Sequence, residues 1–116
     1  MVTLGRLTLE ETNAILDYKQ RLAQNLGPEL IKIGLYGSKA RGDFNQNSDI
    51  DLLVVVKERI NPVKQIIYDT LLDINGLYDI YNISIQIYTA NEYDNLPNYP
   101  LSIPFWENYI HDEVPI

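Results

Sequence analysis

The chain contains no cysteine, so neither a disulfide framework nor a thiolate metal site is open to it. Its one histidine, His111, sits near the C-terminus beside Asp112 and Glu113. That argues against an imidazole-built nuclease or zinc centre. Basic residues are scarce as well: nine Lys and Arg face sixteen Asp and Glu, for a formal charge of −7. The nine are spread along the chain and form no stripe suited to a nucleic-acid backbone. No apolar run approaches the ~20 residues of a membrane span. The first residues lack the basic-then-apolar pattern of an export leader. The expectation is a cytoplasmic protein that touches neither membrane nor nucleic acid directly.

What remains is enough for a core. The chain has 116 residues, 46% of them hydrophobic, which fits one globular domain over 1–116 and does not fit disorder. Its acidity permits steering toward a basic partner, or simply keeps the chain soluble, and charge alone does not separate the two. It shows no repeat and no low-complexity segment.

The densest chemistry lies in Ile33 to Val56. Apolar residues lead into Gly37-Ser38; ten residues later come Asp49-Ile50-Asp51 and the run Leu52 to Val56. A glycine at the end of a strand lets the backbone approach a phosphate closely. A helix starting at Ser38 would turn free N–H groups toward the anion. Arg41 follows on the same helical face. It can reach a phosphate oxygen, or it can pair on the surface with Asp43 or Glu58. Asp49 and Asp51, two apart on a strand, share one face of the sheet, while Ile50, Leu52 and Val54 face a core. Two carboxylates pointing one way suit Mg²⁺, which binds one or two protein carboxylates together with substrate phosphates. Asp is depleted inside strands, so two of them there imply a ligand. Asp43, Asn45 and Asn47 read as turn formers, and Lys39 as solvated.

Elsewhere the pattern alternates helix and strand. Thr8 and Glu11 form a capping box that opens a helix carrying Ile15, Tyr18, Leu22 and Leu26 on one face, closed by Gly27-Pro28. Leu30 to Tyr36 is a short strand. Asn61-Pro62 reads as a cap and first-turn proline for a helix with Val63, Ile66, Ile67, Leu71 and Ile74 on one side, stopped at Asn75-Gly76. Tyr81 to Thr89 alternates cleanly, with Ile83, Ile85 and Ile87 inward and Ser84, Gln86 and Tyr88 outward. Thr89 and Glu92 can cap one more short helix. Leu96 to Pro104 holds three prolines and is irregular, and Phe105 to His111 reads as a last short helix. Tyrosines such as Tyr78, Tyr81 and Tyr88 read as amphipathic packing residues. Phe105, Trp106, Tyr109 and Ile110 either pack on the sheet or offer a docking patch. The fold class is α/β (α+β): a small mixed sheet with helices on one face and the other open around Asp49 and Asp51.

The stretch GSKARGDFNQNSDIDLLVVV resembles the GS-x10-DxD signature of the DNA polymerase β-like nucleotidyltransferase superfamily. In chain size and motif style it looks most like the minimal nucleotidyltransferase antitoxins paired with HEPN-domain toxins. The resemblance implies that fold, with Gly37 and Ser38 holding the triphosphate, Arg41 as a further phosphate contact, and Asp49 and Asp51 as catalytic ligands of Mg²⁺. It implies transfer of AMP from ATP to a hydroxyl, a tyrosine, of a cognate HEPN ribonuclease toxin. Many members carry a third carboxylate on the strand beside the acids. Here the outward positions are Ser84, Gln86 and Tyr88, with Gln86 in that place, and an amide cannot accept a proton as a base. The alternative is an antitoxin that neutralises its toxin by binding alone.

Overall fold

The computed structural model describes residues 7–36, 49–94 and 114–116. Helix α1 (Leu9–Leu26) opens on the expected reciprocal cap. The Glu11 amide donates to Thr8 Oγ1 at 3.1 Å and the Thr8 amide donates to Glu11 Oε1 at 2.8 Å. It ends where Gly27 takes a φ of +56°, open to glycine without a Cβ penalty, and Pro28 continues into a 3₁₀ turn. Strand β1 (Leu30–Tyr36) pairs antiparallel with β2 (Ile50–Val56), and β2 pairs in parallel with β3 (Ile83–Thr89). Helix α2 (Asn61–Tyr78) makes the crossover between those parallel strands, and α3 (Ala90–Asp94) follows β3 directly. A two-residue strand β4 (Val114–Pro115) lies against β1, which gives the order β3-β2-β1-β4.

One irregularity sets the faces of β1. Leu30 pairs with Val56, yet Lys32 already pairs with Val55, so Ile31 is an extra residue. Such a bulge shifts the side-chain alternation by one. Ile31 is thereby exposed, while Leu30 and, beyond the bulge, Ile33 and Leu35 all pack in the same core. That core lies between one face of the sheet (Ile50, Leu52, Val54 and Val56, with Ile83, Ile85 and Ile87 alongside) and helices α1 and α2. The Tyr18 hydroxyl, fully buried, donates to the Ile67 carbonyl at 3.0 Å and so ties α1 to α2. Burial holds its proton well above the usual phenol range. At the far end of the same seam, Asp17 accepts from the Tyr78 hydroxyl at 2.8 Å and from Arg21 Nε at 2.9 Å. Burial favours the protonated acid, but these bonds outweigh it and hold Asp17 below the ordinary carboxylate value.

Helix α2 differs from its expected ends. Its cap residue is Ile60, which makes no side-chain cap bond, and Asn61 is already helical. The helix also passes through Gly76 to Tyr78, and the chain turns at Asp79 with φ +54°. A glycine inside a helix costs only about 1 kcal/mol, and the Tyr78–Asp17 bond secures the last turn. Asn75 contributes outside the helix instead, donating its side-chain amide to the Ile80 carbonyl at 2.6 Å.

The second face of the sheet is only partly open. Leu53 and Val55 are buried on it under Tyr88, Ala90 and Tyr93. The expected cap of α3 forms: Glu92 and Thr89 exchange bonds of 3.0 and 3.1 Å. Arg59 clamps that helix with a fork onto Glu92 at 2.6 and 3.0 Å and a further bond to the Ile87 carbonyl. Lys32 adds a bond to the Tyr93 hydroxyl at 3.1 Å. No described helix is long and apolar enough to cross a membrane.

Candidate active site

The open part of that face begins where β2 begins. Asp49 immediately precedes the strand and is exposed; Asp51 is half-buried at its second position. Ile50 between them is fully buried in the main core, and its amide donates to the Asn82 carbonyl at 2.7 Å. Strand alternation therefore sets Asp51 on the side opposite Ile50, the outward side, while Asp49 stands exposed just ahead of the strand and not within it as the sequence pattern suggests. The residue types on either flank explain the order: β-branched and aliphatic side chains can be sealed on both faces, whereas carboxylates stay where water or a cation can reach them.

Register supplies the neighbours. Across the sheet, Tyr36 of β1 pairs with Asp51, and Asp51 is level with Ser84 of β3. Gly37 is the next residue in the chain after Tyr36. Gly37, Ser38 and Arg41 themselves lie outside the described residues, as do Lys39, Asp43, Asn45, Asn47, Phe105, Trp106 and His111. Gln86 is level with Leu53, not with an acid, and is exposed. Two residues along a strand is about 6.6 Å. The neutral residue beside Asp51 is therefore Ser84 rather than Gln86. Alternation puts both on the outward face but cannot say which one meets Asp51, because that depends on the pairing register of two distant strands.

The donor set fits a hard divalent cation. Two carboxylates at the start of β2, Asp49 exposed and Asp51 half-buried, suit Mg²⁺, which is shared between protein and phosphate oxygens. Among the described residues no group of three or more acidic, histidine or cysteine side chains converges as a metal site. The tyrosines divide. Tyr78 and Tyr88 pack as expected, but Tyr81, just ahead of β3, is 71% exposed.

Comparison with known proteins identifies the family and the fold. A family model described as a nucleotidyltransferase domain matches residues 16–109, most of the chain. The protein adenylyltransferase MntA of Thermococcus cleftensis is 39% identical over 56 residues, 47% of this chain and 54% of that protein. A Methanocaldococcus jannaschii protein provisionally named protein adenylyltransferase MJ0141 is 38% identical over 50 residues, 43% of this chain and 50% of its own length. The matched stretch thus spans about half of these relatives. A solved Sulfolobus solfataricus structure, provisionally described as a nucleotidyltransferase, superposes with a TM-score of 0.51 at 21% identity, covering 89% of this chain and 76% of that one. A solved toxin–antitoxin complex with AMP-PNP gives 0.56 at 18% identity, covering 93% and 72%. Those two likenesses are of fold. Because that family model spans most of the chain, the chain belongs to the nucleotidyltransferase domain family.

Proposed function

We propose that this chain is a Mg²⁺-dependent nucleotidyltransferase of the antitoxin type, moving AMP from ATP to a hydroxyl, a tyrosine, of a cognate HEPN ribonuclease toxin. The observation that carries it is the placement of Asp49 and Asp51 on the open end of an otherwise sealed sheet face, next to the strand that runs into Gly37-Ser38. Relatives named protein adenylyltransferases, and a fold shared with a toxin–antitoxin complex holding AMP-PNP, support the nucleotide and the kind of partner.

Each residue then has a task. Gly37 and Ser38 hold the triphosphate by backbone approach, with Arg41 as a further phosphate contact. Asp49 and Asp51 would ligate Mg²⁺, which when bound neutralises charge developing on the phosphates. The rigid β2 backbone keeps the two carboxylates on one side, so positioning supplies much of the rate. Ser84, level with Asp51 on β3, is neutral and supplies no strong base there, so a substrate group, a water or a partner residue would take the acceptor's proton.

The test is incubation with the toxin, Mg²⁺ and labelled ATP. Label should appear on the toxin with wild type and vanish with Asp49→Ala/Asp51→Ala; transfer surviving that double substitution refutes the reading. Ser84 in the place level with Asp51 favours one rival, an antitoxin that acts by binding. Cells protected from the toxin by the double Asp variant would select the rival.

A further inference from the structure

From the outer face of α2 we infer that the chain holds its toxin through a helix-on-helix contact. Tyr68 and Leu72 receive an apolar row of a toxin helix, and Asp69 and Asp73 pair with lysine or arginine beside that row. The identity of the partner rests on the proposed function; the surface lies apart from the acids and goes beyond it.

Helix α2 buries Val63, Ile67, Thr70 and Ile74 toward the core. At 3.6 residues per turn, the side turned away carries Gln65, Tyr68, Asp69, Leu72 and Asp73, all exposed. The outward stripe of a surface helix is ordinarily polar. Here Leu72 is 68% exposed, the most of any leucine or isoleucine among the described residues, and Tyr68, one turn before it, is 47% exposed. Residues four apart are neighbours on a helix surface, so the two form one apolar row. Asp69 and Asp73 repeat that spacing and form an acidic row alongside. No lysine or arginine stands on the stripe. Asp69 accepts from the Gln65 side-chain amide at 2.8 Å, an uncharged donor that leaves its charge in place. Arg21 of α1, whose proton Asp17 and Asp73 both help to hold, is bonded to Asp17 at 2.9 Å.

An apolar row flanked by charge is how paired helices choose partners: the apolar contact supplies affinity and the flanking charges select who binds. The sign on α2 decides the occupant. A second copy related by a two-fold axis presents the same patch. That sets acid against acid or leaves both acidic rows unpaired, in a chain with sixteen acids against nine bases. A helix with lysine or arginine four apart beside a leucine or aromatic row meets both rows at once. Position makes the contact useful. Helix α2 packs on the Ile50 side of the sheet, whereas Asp51 faces the other. A toxin helix seated on α2 therefore leaves the carboxylates uncovered, and anchoring and modification can occur in one complex.

The experiment titrates purified toxin into the full chain in a calorimeter and follows label transfer from ATP with Mg²⁺ in parallel. Tyr68→Ala/Leu72→Ala should weaken binding about tenfold or more. Asp69→Lys/Asp73→Lys should weaken it more at low salt than at high. Thermal unfolding of both variants should stay close to wild type, because all four side chains are exposed. Asp49→Ala/Asp51→Ala should bind like wild type while losing transfer, and Leu16→Ala, an exposed apolar change on α1, should alter neither. Toxin binding unchanged by both α2 variants overturns the inference, while label on the toxin keeps the transferase reading standing. A dimer of the chain alone that Tyr68→Ala/Leu72→Ala dissociates in sedimentation would make a second copy the occupant and overturn it too. If the toxin is neither bound nor labelled, both readings fall.

Discussion

The two ends of β2 share one strand and one sheet face but have opposite fates. At the Val55 end, Leu53 and Val55 are fully dry beneath α3, and that helix is fastened by the Arg59 fork on Glu92 and by Lys32 on Tyr93. At the Asp49 end, the same face carries carboxylates and stays reachable. The lesson is that a small fold can anchor a site by sealing half of a strand. The closed half fixes the backbone, and the open half inherits that rigidity while carrying carboxylates.

This comparison can be broken most severely from the open end. Asp49→Ala/Asp51→Ala should abolish nucleotide transfer, read as loss of labelled product, while thermal unfolding stays close to wild type because neither carboxylate packs in a core. From the closed end the signature reverses. Leu53→Ala should cost roughly 2–5 kcal/mol of stability by denaturant titration, with the acids untouched. Unfolding unaffected by that substitution would mean that α3 is not a true lid.

A smaller effect comes from the clamp. The bonds from Thr89 and Arg59 lower the Glu92 carboxyl below its ordinary value of 4.5, against burial, which would raise it. A depressed native value contributes stability that is fully present above the ordinary value and is lost as pH falls through the native one. Because Arg59 is partly solvated, Arg59→Ala should cost only about 1 kcal/mol or less. Its difference from wild type should shrink when unfolding is measured below pH 4.5. The β3 neighbours sharpen the contrast further. Ser84→Asp, level with Asp51, should tighten Mg²⁺ uptake in a calorimetric titration. Gln86→Ala, level with Leu53, should leave transfer nearly unchanged.

Much of this was legible from residue patterns. The Thr8–Glu11 and Thr89–Glu92 boxes, the helical faces of α1 and α2 and the alternation of β3 are local and encode their own geometry. The outward side of Asp51 also follows from its place between Ile50 and Leu52, although Asp49 falls just before the strand. Two features stayed hidden for one cause: they depend on pairing between residues far apart in the chain. The Ile31 bulge appears only against Val55 and Val56. The level of Ser84 appears only against Asp51. Tyr81 looked like a packing residue because its exposure follows from α2 continuing past Gly76 to Tyr78, which moves the turn and the start of β3 later in the chain.

The most direct measurement is calorimetric titration of the wild-type chain with a non-hydrolysable ATP analogue, with and without Mg²⁺. Saturable binding that needs Mg²⁺ and disappears in Asp49→Ala/Asp51→Ala is the predicted result. Binding that ignores both the metal and the two substitutions would contradict the account.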